Sequence, residues 1–318
     1  MIPKIYRRIR PGIAVFKIGR ASVVSRREVL EEAIRRLEAG GISSPRTNAE
    51  RMLGEVLECG RAELYAFSEA PMKSTAERAF DRMVERRLHR EPLQYILGHT
   101  DFYGLRLRVT PDVLIPRPET EQVVERAIEI LGGIRSPRVL DVGTGSGCIA
   151  LALKKERTDA EVWACDVSPA ALDVARGNAS ANELPVAFLR ADVLTDTFME
   201  VAPGELDLLI SNPPYIPERE RASLAAEVRE FEPDLALFSG EDSLVFYSRL
   251  AAVGQKLLRS GGWIVLETHS ETGPAAAELL ERSGYRDVRL EDDYGGLPRI
   301  LYGRWNSPSL PNSAIRDD

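Results

Sequence analysis

The sequence predicts an α/β protein in which an open parallel sheet is covered by helices on both faces, preceded by a small helical domain and a β-hairpin connector. Three observations carry this. From Arg138 onward, apolar runs of strand length alternate with stretches of helical period, the pattern of successive βαβ units. "VLDVGTGSGCIALAL" (139–153) joins one such strand to one such helix through three glycines in five residues. Residues 26–92 instead carry apolar positions at helical spacing, punctuated by capping and stop signals.

The elements follow in order. The first 25 residues are rich in arginine and hold no acid, and a disordered basic tail is expected there rather than an organelle-targeting leader. Ser25-x-x-Glu28 is a capping-box pattern, and Val29, Leu30, Ala33, Ile34 and Leu37 follow on one helical face until Gly40-Gly41. A second helix is expected from about Thr47 to Cys59, where Met52, Leu53, Val56 and Leu57 share a face, and a short third over "RAELYAF". Ser74-x-x-Glu77 opens a fourth, which Glu91-Pro92 terminates, because proline lacks an N–H and restricts the residue before it. "TDFYGLRLRVT" alternates like a hairpin with Gly104 at or near its turn, so residues 93–117 form the connector. Pro118 suits the first turn of the next helix.

Strands are then expected at "RVLDVGT", "EVWACDV", "VAFLRADV", "LDLLISNP" and "GWIVLETH", with helices from about Gly147, from Pro169, at about 243–259 and from about Glu271. "VRLEDDY" and "RILYGRW" are close enough to pair as a hairpin at the sheet edge. That closes a domain of residues 118–305 and leaves a frayed polar tail at 306–318.

Composition narrows the function classes. At 318 residues, 44% hydrophobic and 29% charged, the chain can bury a real core, and no apolar run approaches the roughly eighteen residues a membrane span needs. Cys59, Cys148 and Cys165 are far apart and in no C-x-x-C spacing, which points to small core residues, no zinc or other metal site, and a reducing, cytoplasmic setting. Eight Lys/Arg precede Glu28 without an acid, so the remaining body carries a net charge of about −15. Duplex DNA binding relies on phosphate neutralisation, and so acidic a body disfavours it.

The candidate chemistry lies at strand ends. Gly143, Gly145 and Gly147 let the backbone turn tightly and approach a ligand at a helix N-terminus, with Thr144 and Ser146 between them. Asp166 ends the next strand, 25 residues after Asp141, where it can accept hydrogen bonds from both hydroxyls of a ribose. Asp192 and Val193 end the strand after that, placed for the edge and face of an adenine. "GTGSG" has shorter spacing than the G-x-G-x-x-G of dinucleotide enzymes and suits S-adenosylmethionine, whose carboxypropyl sulfonium passes the loop instead of a pyrophosphate.

"LLISNPPYIP" (208–217) ends a core strand with Asn212, Pro213, Pro214 and Tyr215. Two prolines force a rigid extended path, leaving the Pro213 carbonyl and the Asn212 side-chain oxygen to accept. Two acceptors match the two hydrogens of an –NH2 group, on a base or on a carboxamide, and Tyr215 can cover that planar group. Methylation needs the nitrogen to become pyramidal, so acceptors arranged for that geometry favour the transition state. No strong base is required first, and His89, His99 and His269 are expected to be structural or exposed.

"VLIPRPETE" (113–121), the glycine-rich segment, "ISNPPYIP" (210–217) and "EFEPDLALFSGEDSL" (230–244), in that order and spacing, resemble the release-factor glutamine N5-methyltransferase family over roughly residues 26–305. The resemblance implies a helical N-terminal domain that helps dock the partner and a seven-stranded, Rossmann-like class I methyltransferase domain. It also implies methyl transfer from S-adenosylmethionine to the glutamine of the Gly-Gly-Gln loop of class I peptide-chain release factors. By motif, Gly143 to Gly147 and Asp166 would bind the donor, Asn212 would contact both donor and glutamine, and Pro213, Pro214 and Tyr215 would line the glutamine pocket. Asn-Pro-Pro-Tyr alone also fits adenine-N6 nucleic-acid and ribosomal-protein glutamine methyltransferases. The acidic body and "IPRPETE" favour release factors. A non-catalytic binding module is a rival that the intact acceptor site disfavours. Arg117, Glu119 and Glu121 are expected to shape the pocket entrance, or, for the acids, to cap a helix. A monomer is expected.

Overall fold

The computed structural model describes residues 24–307, so the basic tail before Val24 and the C-terminal tail after Ser307 lie outside the described residues. The chain divides into two compact units after Glu85, within one helix. The first unit contains α1 (Arg26–Ala39), α2 (Pro45–Leu57), α3 (Arg61–Ala66) and most of α4 (Ser74–Leu88). The capping box at α1 is formed: Ser25 Oγ accepts from the Glu28 amide at 3.2 Å, and the Glu28 carboxylate accepts from the Ser25 amide at 2.8 Å. The second helix begins at Pro45, before the expected start, because a proline fits the first helical turn, where its missing N–H has no partner to lose. In α4, Ser74 is already helical and the Glu77 amide donates to the Lys73 carbonyl at 3.0 Å. Leu37, Ala49, Met52, Leu53, Phe80 and Val84 are buried, the apolar face that helical spacing marks out.

The second unit opens with α5 (Leu93–Leu97), a single turn too short to show a period in the sequence. The expected hairpin follows as β1 (His99–Phe102) and β2 (Leu105–Arg108), antiparallel, with Tyr103 at φ 49° and Gly104 at φ 69°. Two successive left-handed residues match the twist of a two-residue hairpin turn. Then come α6 (Pro118–Leu131), β3 (Arg138–Val142), α7 (Cys148–Glu156), β4 (Glu161–Asp166), α8 (Pro169–Ala181), β5 (Ala187–Arg190), the short α9 (Phe198–Val201) and β6 (Leu206–Ser211).

Residues 216–240 fold into pieces too short to announce themselves: β7 (Ile216–Pro217), a 3-10 turn, α10 (Ala226–Phe231), α11 (Asp234–Leu237) and β8 (Phe238–Gly240), with β7 and β8 paired parallel. The last elements of the described residues are α12 (Val245–Leu257), β9 (Leu258–Glu267), α13 (Gly273–Arg282), β10 (Arg286–Asp292) and β11 (Pro298–Arg304).

Seven strands form one sheet in the order β10-β11-β9-β6-β3-β4-β5, parallel from β9 to β5 and antiparallel in the closing hairpin. This is the seven-stranded, Rossmann-like sheet that the resemblance implies, mixed at one edge. All six residues of β6 are buried, as a strand covered on both faces requires. Successive strand residues alternate between two apolar layers. Val139, Leu208, Ile210 and Val265 pack with Val123, Val124 and Leu131 of α6 on one face. Leu140, Leu209, Ile264 and Leu266 pack with Leu250 of α12 and Leu280 of α13 on the other. Each fully buried aliphatic side chain contributes about 1.5–3 kcal/mol by area removed from water, so a polar residue in either layer opposes the whole sheet. Among the described residues, no helix is long and apolar enough to cross a membrane.

The topology locates a crevice. The chain runs outward from β3 through β4 to β5, then crosses back to β6 on the other side of β3, so the loops after β3 and β6 diverge at the sheet's carboxyl edge. Register makes the strand tips level: Val142 pairs with Cys165 and with Ser211, and Ser211 with Leu266.

Candidate active site

Three strand tips form the first half of the site. Gly143, Gly145 and Gly147 all have positive φ, at 73°, 55° and 85°, values that other residues adopt only with strain. Their surroundings differ. A Cβ on Gly143 or Gly145 would meet nothing within 4 Å, whereas one on Gly147 would stand 3.3 Å from Ala175 Cβ and Leu151 Cδ1. The first two glycines therefore leave open space against bare backbone, and the third lets α7 and α8 pack closely.

The turn is tied down from within. Amides of Gly143 and Thr144 donate to the Cys165 carbonyl at 2.9 and 3.0 Å, and Thr144 Oγ1 donates to Asp141 at 2.6 Å. Asp141 is wholly buried. That burial pushes its carboxyl up to about 7, against the pull of the Thr144 hydroxyl and the Ala150 amide. Asp166 accepts from the Gly145 amide through one oxygen and from the Ser168 amide through the other, each at 2.9 Å. Burial raises its pKa while those amides lower it. Asp192 accepts from the Leu194 amide at 2.9 Å, and Arg249 of α12 donates to the Val193 carbonyl at 2.6 Å, so the loop after β5 is held in place.

Asn178, buried in α8, accepts from the Arg108 amide at 2.7 Å and donates to the Arg108 carbonyl at 3.0 Å and to the Ser146 carbonyl at 2.9 Å. It joins the end of the hairpin to the glycine-rich turn. A lone asparagine in a helix gives no sequence signal of that role.

The second half gathers around β6. Asn212 follows the buried Ser211, whose hydroxyl donates to the Val142 carbonyl at 2.6 Å and locks the two strand tips together. Pro213 is buried, and Asn212, Pro214 and Tyr215 are half-buried. Asn212 Nδ2 lies 3.3 Å from Thr120 Oγ1, in the first turn of α6, and Thr120 Oγ1 donates to Glu267 at 2.6 Å. Tyr215 Oη donates to the other Glu267 oxygen at 3.4 Å, and Tyr247 Oη to the Glu267 carbonyl at 3.2 Å. Glu267 closes β9, retains 1% exposure, and is pushed up to about 7 by burial, with Thr120, Arg299 and Tyr215 pulling it down. Burial likewise raises the Tyr215 phenol, with the Glu267 charge adding to it. The His269 ring stands 5.9 Å from that of Tyr215, tilted by 35°.

The "IPRPETE" residues have separate partners. Arg117 pairs with the buried Glu232 of "EFEPDLAL", which also accepts from the Ile115 amide at 3.2 Å. Glu121 accepts from the Tyr103 amide at 2.6 Å, fastening α6 to the hairpin turn, and Glu119 is exposed. Thr120, between the two acids, is the residue of this segment joined to Asn212. Glu267 was visible as a charge closing the apolar run of "GWIVLETH", the same signal that singled out Asp166.

All three cysteines are free, with Cys165 buried. Among the described residues, no group of three or more His, Cys, Asp and Glu could hold a metal ion.

Two family models match, the PrmC N-terminal domain over residues 28–98 and the Methyltransferase small domain over residues 126–231. The release factor glutamine methyltransferase of Chlorobaculum tepidum is 43% identical over 281 residues, 86% of this chain and 95% of its own. That of Koribacter versatilis is 38% identical over 279 residues, 87% of this chain and 98% of its own. A solved structure, the release factor-specific protein-(glutamine-N5) methyltransferase of Alicyclobacillus acidocaldarius, is 31% identical over 64% of this chain and 100% of that one, with a TM-score of 0.39. At such identity over nearly the full length of its relatives, the chain belongs to the release factor glutamine methyltransferase family.

Proposed function

We infer that this enzyme transfers a methyl group from S-adenosylmethionine to the side-chain amide nitrogen (N5) of the glutamine in the Gly-Gly-Gln motif of class I peptide-chain release factors. The observation that carries the reading is Asn212-Pro213-Pro214-Tyr215 at the tip of a fully buried central strand, level in register with the tip that leads into the glycine-rich turn. Family membership supplies the acceptor class, since the relatives are named for release-factor glutamine.

The residues present suit the donor. Open space where a Cβ would stand at Gly143 and Gly145 lets a ligand meet bare backbone, with Thr144 and Ser146 completing the turn. Asp166 would take the ribose hydroxyls with its remaining lone pairs, and Asp192 and Val193 would border the adenine. Bound there, S-adenosylmethionine supplies an electrophilic methyl group. On the acceptor side, Asn212 Oδ1 and the Pro213 carbonyl accept the two amide hydrogens and hold them as the pyramidal nitrogen requires, which favours the transition state over the planar ground state. Tyr215 covers the amide plane, and Pro214 keeps the segment rigid. These acceptors relieve the chain of the need for a strong base: the amide proton becomes acidic only as the methyl–sulfur bond gives way to a methyl–nitrogen bond, and it leaves to water or a carbonyl acceptor, with S-adenosylhomocysteine as the other product.

The helical N-terminal unit is assigned to docking the release factor, and the enzyme is assigned to the cytoplasm as a monomer acting on protein rather than DNA. The acidic body supports the choice of protein. Purified release factor incubated with methyl-labelled S-adenosylmethionine should take up one label per chain, and its Gln-to-Ala variant at the Gly-Gly-Gln motif none. Equal labelling of both, or labelling of nucleic acid instead, would reject the assignment.

A further inference from the structure

The Asn212 amide has two ends that differ by a flip, and only one serves the reaction. A side-chain oxygen turned toward the substrate accepts an amide hydrogen, whereas an –NH2 turned that way would confront the substrate's own –NH2. Asn212 itself does nothing to choose between them. The choice is made in the chain of contacts behind it. Ionised, as it is above about pH 7, Glu267 can only accept, and its oxygen lies 2.6 Å from Thr120 Oγ1, so the single Thr120 hydrogen points to Glu267. Thr120 Oγ1 can then only accept from Asn212, 3.3 Å away, which turns Nδ2 inward and Oδ1 outward.

We propose that Thr120 and Glu267 are positioning residues that set the polarity of the Asn212 side chain, so that its carbonyl oxygen faces the substrate amide. This rests on the acceptor role given to Asn212 above. The three groups come from three places brought together by the fold: the first turn of α6, the tip of β6 and the tip of β9. Thr120 and Glu267 are 2% and 1% exposed, so bulk water does not decide their hydrogen bonds. A buried carboxyl is costly unless it is hydrogen-bonded, and this one is held by Thr120 and, through its second oxygen, by Tyr215. A leucine at this position would avoid that cost, and it would free the Thr120 hydroxyl to donate to Asn212 and turn the amide round.

The test uses full-length protein with purified release factor at about pH 8, where Glu267 is a carboxylate, and measures kcat, KM, donor Kd and melting temperature. Thr120→Val keeps the side-chain shape and removes the hydroxyl. It should lower kcat about 10- to 100-fold, with donor Kd and release-factor KM changed less than about threefold, a loss comparable to removing one oriented polar group. Thr120→Ser should restore most of that rate. Glu267→Leu should lower kcat similarly, and Glu267→Gln, which keeps an accepting oxygen, should recover most of what the leucine loses. A folded Thr120→Val protein with wild-type kcat overturns the proposal. So does a Glu267→Gln rate as low as that of Glu267→Leu, since the charge rather than the accepting oxygen would then matter. Wild-type protein that leaves the release-factor glutamine unmethylated overturns the functional reading and this inference with it.

Discussion

On the β3–β4 side of the sheet's carboxyl edge, the groups proposed to meet the donor are held mainly by near neighbours in the chain. Asp166 binds the amides of Gly145 and Ser168, 21 and 2 residues away, and Thr144 binds Asp141, 3 residues away. On the β6–β9 side the separations are 92 residues from Asn212 to Thr120, 147 from Thr120 to Glu267 and 52 from Tyr215 to Glu267. The first side is mostly a backbone turn within one βαβ unit, with Asn178 of α8 tying its Ser146 carbonyl to Arg108, 70 residues from Asn178. The second is a chain of side chains that exists only when α6, β6 and β9 are all in place. The turn presents shape and a few acceptors, which suits binding. The side-chain chain sets the direction in which one amide points, which suits a rate.

Asn212→Ala should break that comparison most sharply. Loss of one preorganised group at the reacting nitrogen is expected to lower kcat about 10²- to 10³-fold, while donor Kd stays within about threefold because the turn after β3 is untouched. Turnover with isothermal titration of the donor checks both parts. Unchanged turnover would remove Asn212 from the reaction.

Asp166→Ala addresses the other side and should give the converse pattern. Donor Kd should rise about 10- to 100-fold, equivalent to about 1.4–2.8 kcal/mol, with a much smaller fall in kcat at saturating donor. Part of that loss comes from the Gly145 amide, which forfeits its partner at 2.9 Å. Unaltered donor affinity would dismiss Asp166 from the ribose.

The same contrast explains what could be read in the sequence. Glycine spacing, the acid near the end of "EVWACDV" and the prolines after "LLIS" all report local geometry, so the sheet strands from β3 to β6 and the long helices among them are legible, although each expected strand runs past its observed C-terminal end. Glu267 carries the same mark as Asp166. Its meaning depends on Thr120, and Thr120 is flanked by Glu119 and Glu121, the more conspicuous charges of "IPRPETE"; the fold puts Glu121 on the Tyr103 amide and leaves Glu119 exposed. Glu232 lies within residues 216–240, where elements of two to six residues are too short to display a period, and its bond to Ile115 spans 117 residues. Long-range side-chain pairing leaves no periodic trace.

The smallest expected effect concerns stability, and it separates the two sides by pH. Burial lifts the Glu267 carboxyl from 4.5 to about 7 in the folded protein. Between those values the folded state holds a proton that the unfolded state has released, so this group's contribution is fully present below its unfolded value and is lost as pH rises through about 7. Asp141, raised from 3.8 to about 7, acts in the same sense on the β3 side. Glu267→Gln removes the first contribution and leaves the second. Urea unfolding of wild type and Glu267→Gln at pH values from about 5 to about 6.5 should therefore show the difference in unfolding free energy moving toward the glutamine variant by about 1–2 kcal/mol, the linkage limit being about 1.4 kcal/mol per pH unit for one proton. An Asp141→Asn variant should show a similar drift, with the loss of donor affinity expected of a disturbed glycine turn. A difference for Glu267→Gln that stays constant across that range would mean that its carboxyl ionises as readily in the folded protein as in the unfolded chain, and that β9 closes on water rather than on a dry network.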